Sequence, residues 1–164
     1  MNDFTSMSVW DPIELCEVDS LRFNQMSWSD QRARILVMAR RWNNCDVWAE
    51  WNSIGDPNIE ELRKAGANVY DFKTTAQSKP PMIQALYLAL HEQGAQLLDD
   101  PVVRHEFRSF ISKQTVNGHW QYEAQQGAHD DTVIARGLGI YGCNNLMAHM
   151  VTFDTAPDIL EWRG

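Results

Sequence analysis

The sequence predicts an α/β protein in which helices flank a mixed sheet. Short runs of β-branched and aromatic residues alternate with longer segments whose apolar residues recur every three to four positions. This alternation of strands and helices requires crossover connections, so at least two strands should lie parallel. The 164 residues, 44% of them apolar, suffice for one globular core without a disulfide or metal scaffold.

The first third of the chain predicts a hairpin, a helix and a buried strand. Residues 6–10 alternate polar and apolar, and residues 15–18 form the returning strand after a turn. Ser29 is expected to cap a helix that ends near Asn43. The apolar and aromatic run at 46–51 then predicts a buried strand that leads into a loop.

The remaining chain repeats the pattern and ends in a long helix. The next elements are a helix over 57–66, a strand over 68–72 and a helix from 78. They are followed by a minimal strand over 96–98, a short helix over 101–107 and a hairpin formed by 110–115 and 119–123. A final helix should begin near Asp130. Because the apolar pattern weakens after Asn145, we expect a domain over 1–145 and a tail over 146–164.

Composition excludes several classes of protein. The net charge of −8 argues against coating of nucleic acid by bulk electrostatics, although a local basic groove remains compatible with it. The longest apolar run, residues 35–39, is too short to cross a membrane, and no signal peptide is evident. The three separated cysteines form no zinc or disulfide pattern, which fits a reducing cytoplasm. No phosphate-binding loop for ATP is present.

Three carboxylates are the candidates for chemistry. Asp130 and Asp131 follow His129 at the predicted start of the last helix, where an ordinary helix cap also explains them. Glu50 ends a hydrophobic strand, where the ordinary interpretation is a solvated strand end. Strand ends and helix starts converge at one edge of such sheets, so the three should face one point. Clustered carboxylates favour hard cations such as Mg²⁺ or Mn²⁺ and two-metal phosphoryl transfer.

Three segments together resemble a known family. They are residues 48–55, residues 72–75 with 78–80, and residues 127–135, and their order and spacing match the C-terminal nuclease domain of the large terminase subunit of tailed bacteriophages. The resemblance covers roughly residues 3–141 and implies an RNase H-like fold. It also implies a metal-dependent endonuclease that cuts concatemeric DNA during genome packaging.

The resemblance assigns roles to individual residues. Glu50, Asp130 and Asp131 match the family's catalytic metal ligands for Mg²⁺ or Mn²⁺, two ions in a complete domain, with at least one of the aspartates binding metal. Four further residues match positions beside the site and are expected to contact DNA: Asn52, Lys73, Lys79 and His129. Their ordinary interpretations are a turn residue, surface lysines and a helix cap.

The resemblance also predicts an N-terminally truncated domain. The family takes its first metal-binding aspartate from an opening strand, and this sequence starts just after the matching position, with Asp3 a poor substitute. Such a site should bind cations weakly and cut DNA more slowly. A misplaced start codon, a split or decaying prophage gene, and a partner that supplies the strand all explain the pattern.

Three functions follow as hypotheses. The first is an endonuclease domain in the cytoplasm of a bacterial host, acting on double-stranded DNA beside the terminase ATPase domain, the small terminase subunit and the portal, as the resemblance implies. The second is a catalytically silent DNA-binding or portal-binding module. The third, ranked last, is a junction resolvase-like enzyme. None of them involves a membrane.

Overall fold

The computed structural model describes residues 4–116, 118 and 120–154, and it has the predicted α/β architecture. Side-chain surroundings are described as far as residue 147. The elements, in chain order, are β1 (Phe4–Asp11), β2 (Cys16–Asn24), α1 (Trp28–Arg41), β3 (Val47–Glu50), α2 (Trp51–Ile54), α3 (Asp56–Lys64), β4 (Val69–Phe72), α4 (Lys79–His91), α5 (Pro101–Ser109), β5 (Phe110–Gln114), β6 (Trp120–Ala124) and α6 (Asp131–Asp154).

The strands form three two-stranded ladders. β1 pairs antiparallel with β2, and β5 pairs antiparallel with β6, so both predicted hairpins are present. β3 and β4 pair in parallel, with Glu50 opposite Phe72, which is the parallel pair expected from the order of elements. The minimal strand predicted at 96–98 is reduced to a single bridge between Gln96 and Cys16.

Several boundaries differ from the sequence predictions. The cap of α1 is Ser27 and not Ser29, because the Ser27 side chain accepts a hydrogen bond from the backbone N–H of Asp30 at 3.2 Å. The short helix α2 was not predicted. α6 continues to Asp154, so the first part of the expected 146–164 tail is helical, whereas residues 155–164 and Asp3 lie outside the described residues.

Two hydrophobic clusters cover opposite faces of β3. Val47 and Ala49 belong to the cluster formed with α1 and α3, whereas Trp48 packs on the cluster built mainly from α4 and α6. Successive side chains of a strand point to opposite faces, so this alternation shows that helices cover both faces. The molecule therefore has three layers, with strands between α1 and α3 on one side and α4 and α6 on the other.

A buried ion pair joins β2 to α6. A side-chain nitrogen of Arg136 lies 2.7 Å from a carboxylate oxygen of Glu17, and the two side chains are 1% and 0% exposed. Glu17 also accepts hydrogen bonds from the Ser8 hydroxyl at 2.7 Å and from the backbone N–H of Leu98 at 3.1 Å. Arg136 donates to the backbone carbonyl of Thr132 at 3.1 Å. Both charges are thus desolvated and hydrogen-bonded, which buried ion pairs require.

Glycines allow α6 to approach two tryptophans. A Cβ on Gly142 would lie 2.5 Å from Cδ1 of Trp48, and a Cβ on Gly139 would collide with the indole of Trp10. A Cβ on Gly137 would lie 3.3 Å from the flexible end of Met82. Only the first two positions therefore require glycine for packing.

We expect Gly142→Ala to lower the free energy of unfolding by about 1–3 kcal/mol, because the added methyl group displaces a packed indole. Gly137→Ala is the matched control, since alanine gains about 1 kcal/mol of helix propensity there against a mild contact. Urea titration of both variants measures the difference. Equal stability of the two variants would contradict the proposed packing.

No helix among the described residues combines the length and apolar character needed to span a bilayer.

Candidate active site

Glu50 stands at the carboxyl end of β3, as the sequence predicted. It is the last residue of the strand and the cap of α2, and its Oε2 accepts a hydrogen bond from the Ser53 hydroxyl at 2.7 Å. Asn52 donates its amide N–H to the backbone carbonyl of Thr74 at 2.7 Å. Asn52 therefore ties the segment after β3 to the loop after β4, and this contact holds the end of both strands in place.

Asp130 and Asp131 lie at the start of α6, also as predicted. The backbone carbonyl of Asp130 accepts from the N–H of Ile134 at 2.9 Å, and its carboxylate lies 3.1 Å from Nζ of Lys79. Asp131 Oδ2 lies 3.7 Å from Nδ1 of His129. That oxygen is buried and has no hydrogen-bond partner. One carboxylate thus pairs with Lys79, and the Oδ2 of the other accepts no hydrogen bond, although a side-chain nitrogen of Arg22 lies 3.9 Å from it.

One cavity of about 630 Å³ brings these groups together. Its lining includes Glu50, Lys79, Asp130 and Asp131, together with residues of β1, β3, α1 and α6. The convergence of strand end and helix start places them there, because Glu50 is opposite Phe72 and the loop after Phe72 leads to Lys79. The cavity therefore presents three carboxylates and one ammonium group to a ligand.

The pKa of Asp131 is raised above its usual value. Burial is the main cause, and the nearby carboxylate of Glu106 adds to it, whereas His129 and Arg22 act in the opposite direction. Glu106 is 2% exposed and accepts from Arg22 at 3.0 Å and from the Thr132 hydroxyl at 2.7 Å. The backbone N–H of Thr132 donates to Glu106 at 2.8 Å. The buried carboxylate of Glu106 therefore holds the first turn of α6 in place through its two hydrogen bonds with Thr132.

Sequence reasoning missed Glu106. The available signal was its position three residues after Val103 and one before Phe107, on the face of α5 that the apolar residues mark as buried. A carboxylate on such a face needs partners, and Arg22 and Thr132 lie too far away in the sequence for local patterns to reveal them.

We expect Asp131→Asn to raise the urea midpoint at pH 7. The raised pKa means that the folded state holds a proton at a pH where the unfolded chain has lost it. The contribution of Asp131 to stability therefore falls as pH rises through the folded pKa, and it stays low above that value. The advantage of the variant should shrink toward about pH 4, near the ordinary aspartate pKa. Glu60→Gln, at an exposed position, is the control. An unchanged or lower urea midpoint of Asp131→Asn at pH 7 would contradict the raised pKa of Asp131.

The donor set suits a hard cation, but the ligands are not assembled. Carboxylate oxygens are the ligands that Mg²⁺ and Mn²⁺ prefer, and the Oδ2 of Asp131 has no hydrogen-bond donor that a cation would need to displace. Among residues 4–116, 118 and 120–154, no group of three or more His, Cys, Asp or Glu side chains is arranged to hold an ion. Full coordination therefore needs side-chain rotation or a further ligand.

The residues expected to contact DNA fall in different surroundings. Lys79 lines the cavity, whereas Nζ of Lys73 lies 4.6 Å from the ring centre of Trp51 on the exposed surface. His129 packs edge-on against Phe4, with ring centres 5.4 Å apart. Of the two predicted lysines, Lys79 is thus the one that lies among the carboxylates. Contact of Asn52, Lys73, Lys79 and His129 with DNA stays a prediction.

Both curated proteins that match the sequence are terminase large subunits of Thermus phages. No family model matches the chain. The terminase large subunit of Thermus virus P23-45 is 28% identical over 137 residues, which are 83% of this chain and 28% of the relative. The terminase large subunit of Thermus phage G20c is 29% identical over 118 residues, 71% of this chain and 24% of the relative. The chain thus spans about a quarter of the length of these relatives.

Solved structures agree with the sequence comparison. The large terminase nuclease of phage G20c with bound cobalt superimposes with a TM-score of 0.78 at 26% identity, covering 85% of this chain and 75% of the other. The magnesium-bound form gives 0.77 at 27% identity, covering 85% and 75%. The nuclease domain of Thermus phage P74-26 gives 0.73 at 28% identity, covering 85% and 72%.

Proposed function

We propose that this chain, a homologue of the nuclease domain of phage large terminase subunits with its RNase H-like α/β fold, hydrolyses double-stranded DNA with the help of Mg²⁺ or Mn²⁺. The observation that carries the proposal is the cavity shared by Glu50, Asp130, Asp131 and Lys79. Homology to terminase nucleases supports the choice of DNA as substrate.

Metal dependence is supported by the donor set and by the relatives. Structures of the G20c nuclease hold cobalt, magnesium and zinc. In this chain Glu50, Asp130 and Asp131 would hold the cations, up to two in a complete site. Such ions would supply a nucleophilic hydroxide and would stabilise the leaving oxygen.

The residues of the chain then have separate tasks. Lys79 neutralises Asp130 at 3.1 Å in this structure, and its ammonium group is the point charge beside the carboxylates that would bind a DNA phosphate. Ser53 donates to Glu50 and so orients the carboxylate at the strand end. The Glu106 network fixes the backbone at Thr132 and with it the adjacent Asp131.

The proposal extends to the packaging machinery. As part of a large terminase, the domain over residues 1–145 would act in the cytoplasm of an infected bacterium, on concatemeric DNA. Its partners would be the ATPase domain, the small terminase subunit and the portal. The homologues named terminase large subunit support this setting.

A second candidate is a silent DNA-binding or portal-binding module. The observation that favours it is the ion pair between Lys79 and Asp130, together with the lack of a three-ligand cluster among the described side chains. In that module the lysine would hold the aspartate permanently, and no cation would displace it.

Plasmid cleavage separates the candidates. We expect the full chain to nick supercoiled DNA with Mn²⁺ or Mg²⁺ and to stop when EDTA is added. Binding of duplex DNA without nicking would replace the endonuclease by the silent module, and loss of both binding and nicking would overturn both. Preferential cutting of four-way junctions would favour a resolvase-like enzyme instead.

A further inference from the structure

Lys73 is an exposed lysine whose charge is not paired with a carboxylate. The sequence has four lysines, and within the described part of the chain the other three form ion pairs: Lys64 with Glu61, Lys79 with Asp130 and Lys113 with Glu123. No described carboxylate lies within ion-pair distance of Lys73. Other contacts therefore decide where its ammonium group lies.

The side chain of Lys73 lies over the indole ring of Trp51. Its Nζ is 4.6 Å from the ring centre, within the distance over which an aromatic face attracts an ammonium group. The two residues directly follow Glu50 and Phe72, the last pair of the parallel ladder of β3 and β4. The register of the two strands therefore brings the lysine and the indole together.

The indole of Trp51 is itself held in place. It packs against the hydrophobic cluster that includes Ile59 and Leu62. Its ring N–H donates a hydrogen bond to a carboxylate oxygen of Asp56, in the first turn of α3. A ring fixed by packing and by its N–H is a rigid support for a lysine side chain, which otherwise samples many rotamers.

The backbone at Lys73 is anchored as well. Its carbonyl accepts a hydrogen bond from the Ser78 hydroxyl at 2.6 Å. The next carbonyl, that of Thr74, accepts from the side-chain amide of Asn52 at 2.7 Å. Both ends of the Lys73 side chain are thus held. A group ordered before its ligand arrives loses less conformational entropy on binding.

A fixed, exposed and unpaired ammonium group suits an anion from outside the chain. Lys73 follows Phe72, which pairs with Glu50, so its charge lies at the same end of the ladder as that carboxylate. Phosphate contacts supply much of the affinity of proteins for DNA and fix the orientation of the duplex. The anion that fits beside a DNA-cleaving site is therefore a phosphate of the DNA backbone.

We propose that Trp51 is a positioning residue that holds Lys73 where its ammonium group binds a backbone phosphate of duplex DNA. The inference deepens the proposed nuclease function and rests on it. Trp51 acts through Lys73 and touches neither the cations nor the reacting phosphate. The ring covers only one side of the ammonium group, so N–H donors remain for the phosphate oxygens.

Duplex binding by the full chain tests the proposal. Fluorescence anisotropy with Ca²⁺ as the cation, at several salt concentrations, gives the affinity and its salt dependence. Lys73→Met should reduce the slope of log K against log salt concentration by about 0.9, the contribution of one phosphate contact. Trp51→Met keeps apolar packing but removes the ring, and it should weaken binding about two- to fivefold. Trp51→Phe should restore most of that loss, because it keeps an aromatic face.

A double variant separates positioning from a general structural role. When Lys73→Met is already present, Trp51→Met should cause no further loss of affinity, because no ammonium group remains to be positioned. Lys64→Met is the matched control, since it removes an exposed lysine that Glu61 already neutralises at 2.9 Å. It should change the salt slope less than Lys73→Met does. Urea titration confirms that each variant is folded.

Proton NMR of the free chain checks the contact without DNA. Methylene protons of Lys73 that lie over the indole should be shifted upfield by the ring current. Trp51→Met should abolish that shift, and the methylene protons of Lys64 should not show it. A parent chain without the shift does not hold Lys73 on Trp51, and the proposal is then wrong whether or not the variants fold.

The remaining outcomes also contradict the proposal, and they differ in what else they affect. An equal loss from Trp51→Met with and without Lys73 would mean that Trp51 only supports the fold. An unchanged salt slope in Lys73→Met, with tight binding by the parent chain, would remove the phosphate contact and leave the nuclease proposal intact. No duplex binding by the parent chain would overturn the proposed function and this inference together.

Discussion

Replacing Arg136 by methionine should lower the free energy of unfolding by about 3–5 kcal/mol, because Glu17 would be left as an unpaired buried charge. Arg136 is 1% exposed and supplies both nitrogens that contact Glu17 from α6. The remaining donors to Glu17, Ser8 and the Leu98 N–H, are neutral. Urea titration measures the loss.

Two comparisons make this result specific. The double variant Glu17→Gln with Arg136→Met should recover much of the stability, since it removes the stranded charge. Lys113→Met, which breaks the exposed pair between Lys113 and Glu123, should change the midpoint little. If Arg136→Met costs no more than Lys113→Met, the buried pair does not hold β2 to α6.

Glu50→Gln and Asp131→Asn should each slow metal-dependent DNA cleavage by at least about 100-fold. Loss of a cation ligand removes several kcal/mol of transition-state stabilisation, and each 1.36 kcal/mol is a factor of about ten in rate. Plasmid nicking at fixed Mn²⁺ concentration, followed in time, measures the effect.

Measuring the stability of each variant shows whether slower DNA cleavage comes from a lost metal ligand or from a misfolded chain. Asp131→Asn is expected to be more stable than the parent at pH 7, because the raised pKa of Asp131 marks a carboxylate that folding penalises. A variant that is more stable and less active has lost a ligand. Glu60→Gln, on the exposed face of α3, should cut DNA at the parent rate. Full activity of Glu50→Gln or Asp131→Asn would remove these residues from the site.

Local sequence patterns were sufficient for most elements. Alternation in residues 6–10, the apolar run ending at Glu50 and the acidic start of the last helix are signals carried by neighbouring residues, and the structure contains all three elements. The start of α1 was misplaced because Ser27 and Ser29 are both acceptable caps, and only the backbone geometry distinguishes them.

Contacts between residues far apart in the sequence could not be predicted from local patterns. Glu17 and Arg136 are separated by 119 positions, and Glu106 meets Thr132 across 26. No periodicity links such positions, since the contacts arise only when β2, α5 and α6 pack together.

Anomalous diffraction from a crystal of this chain soaked in Mn²⁺ shows whether Glu50 shares a cation with the aspartates at the start of α6. We expect a manganese peak at the acidic end of the cavity, within about 2.0–2.4 Å of oxygens from Glu50 and from Asp130 or Asp131, with Lys79 turned away from Asp130. A peak elsewhere, or no peak with the ion pair between Lys79 and Asp130 intact, would contradict it.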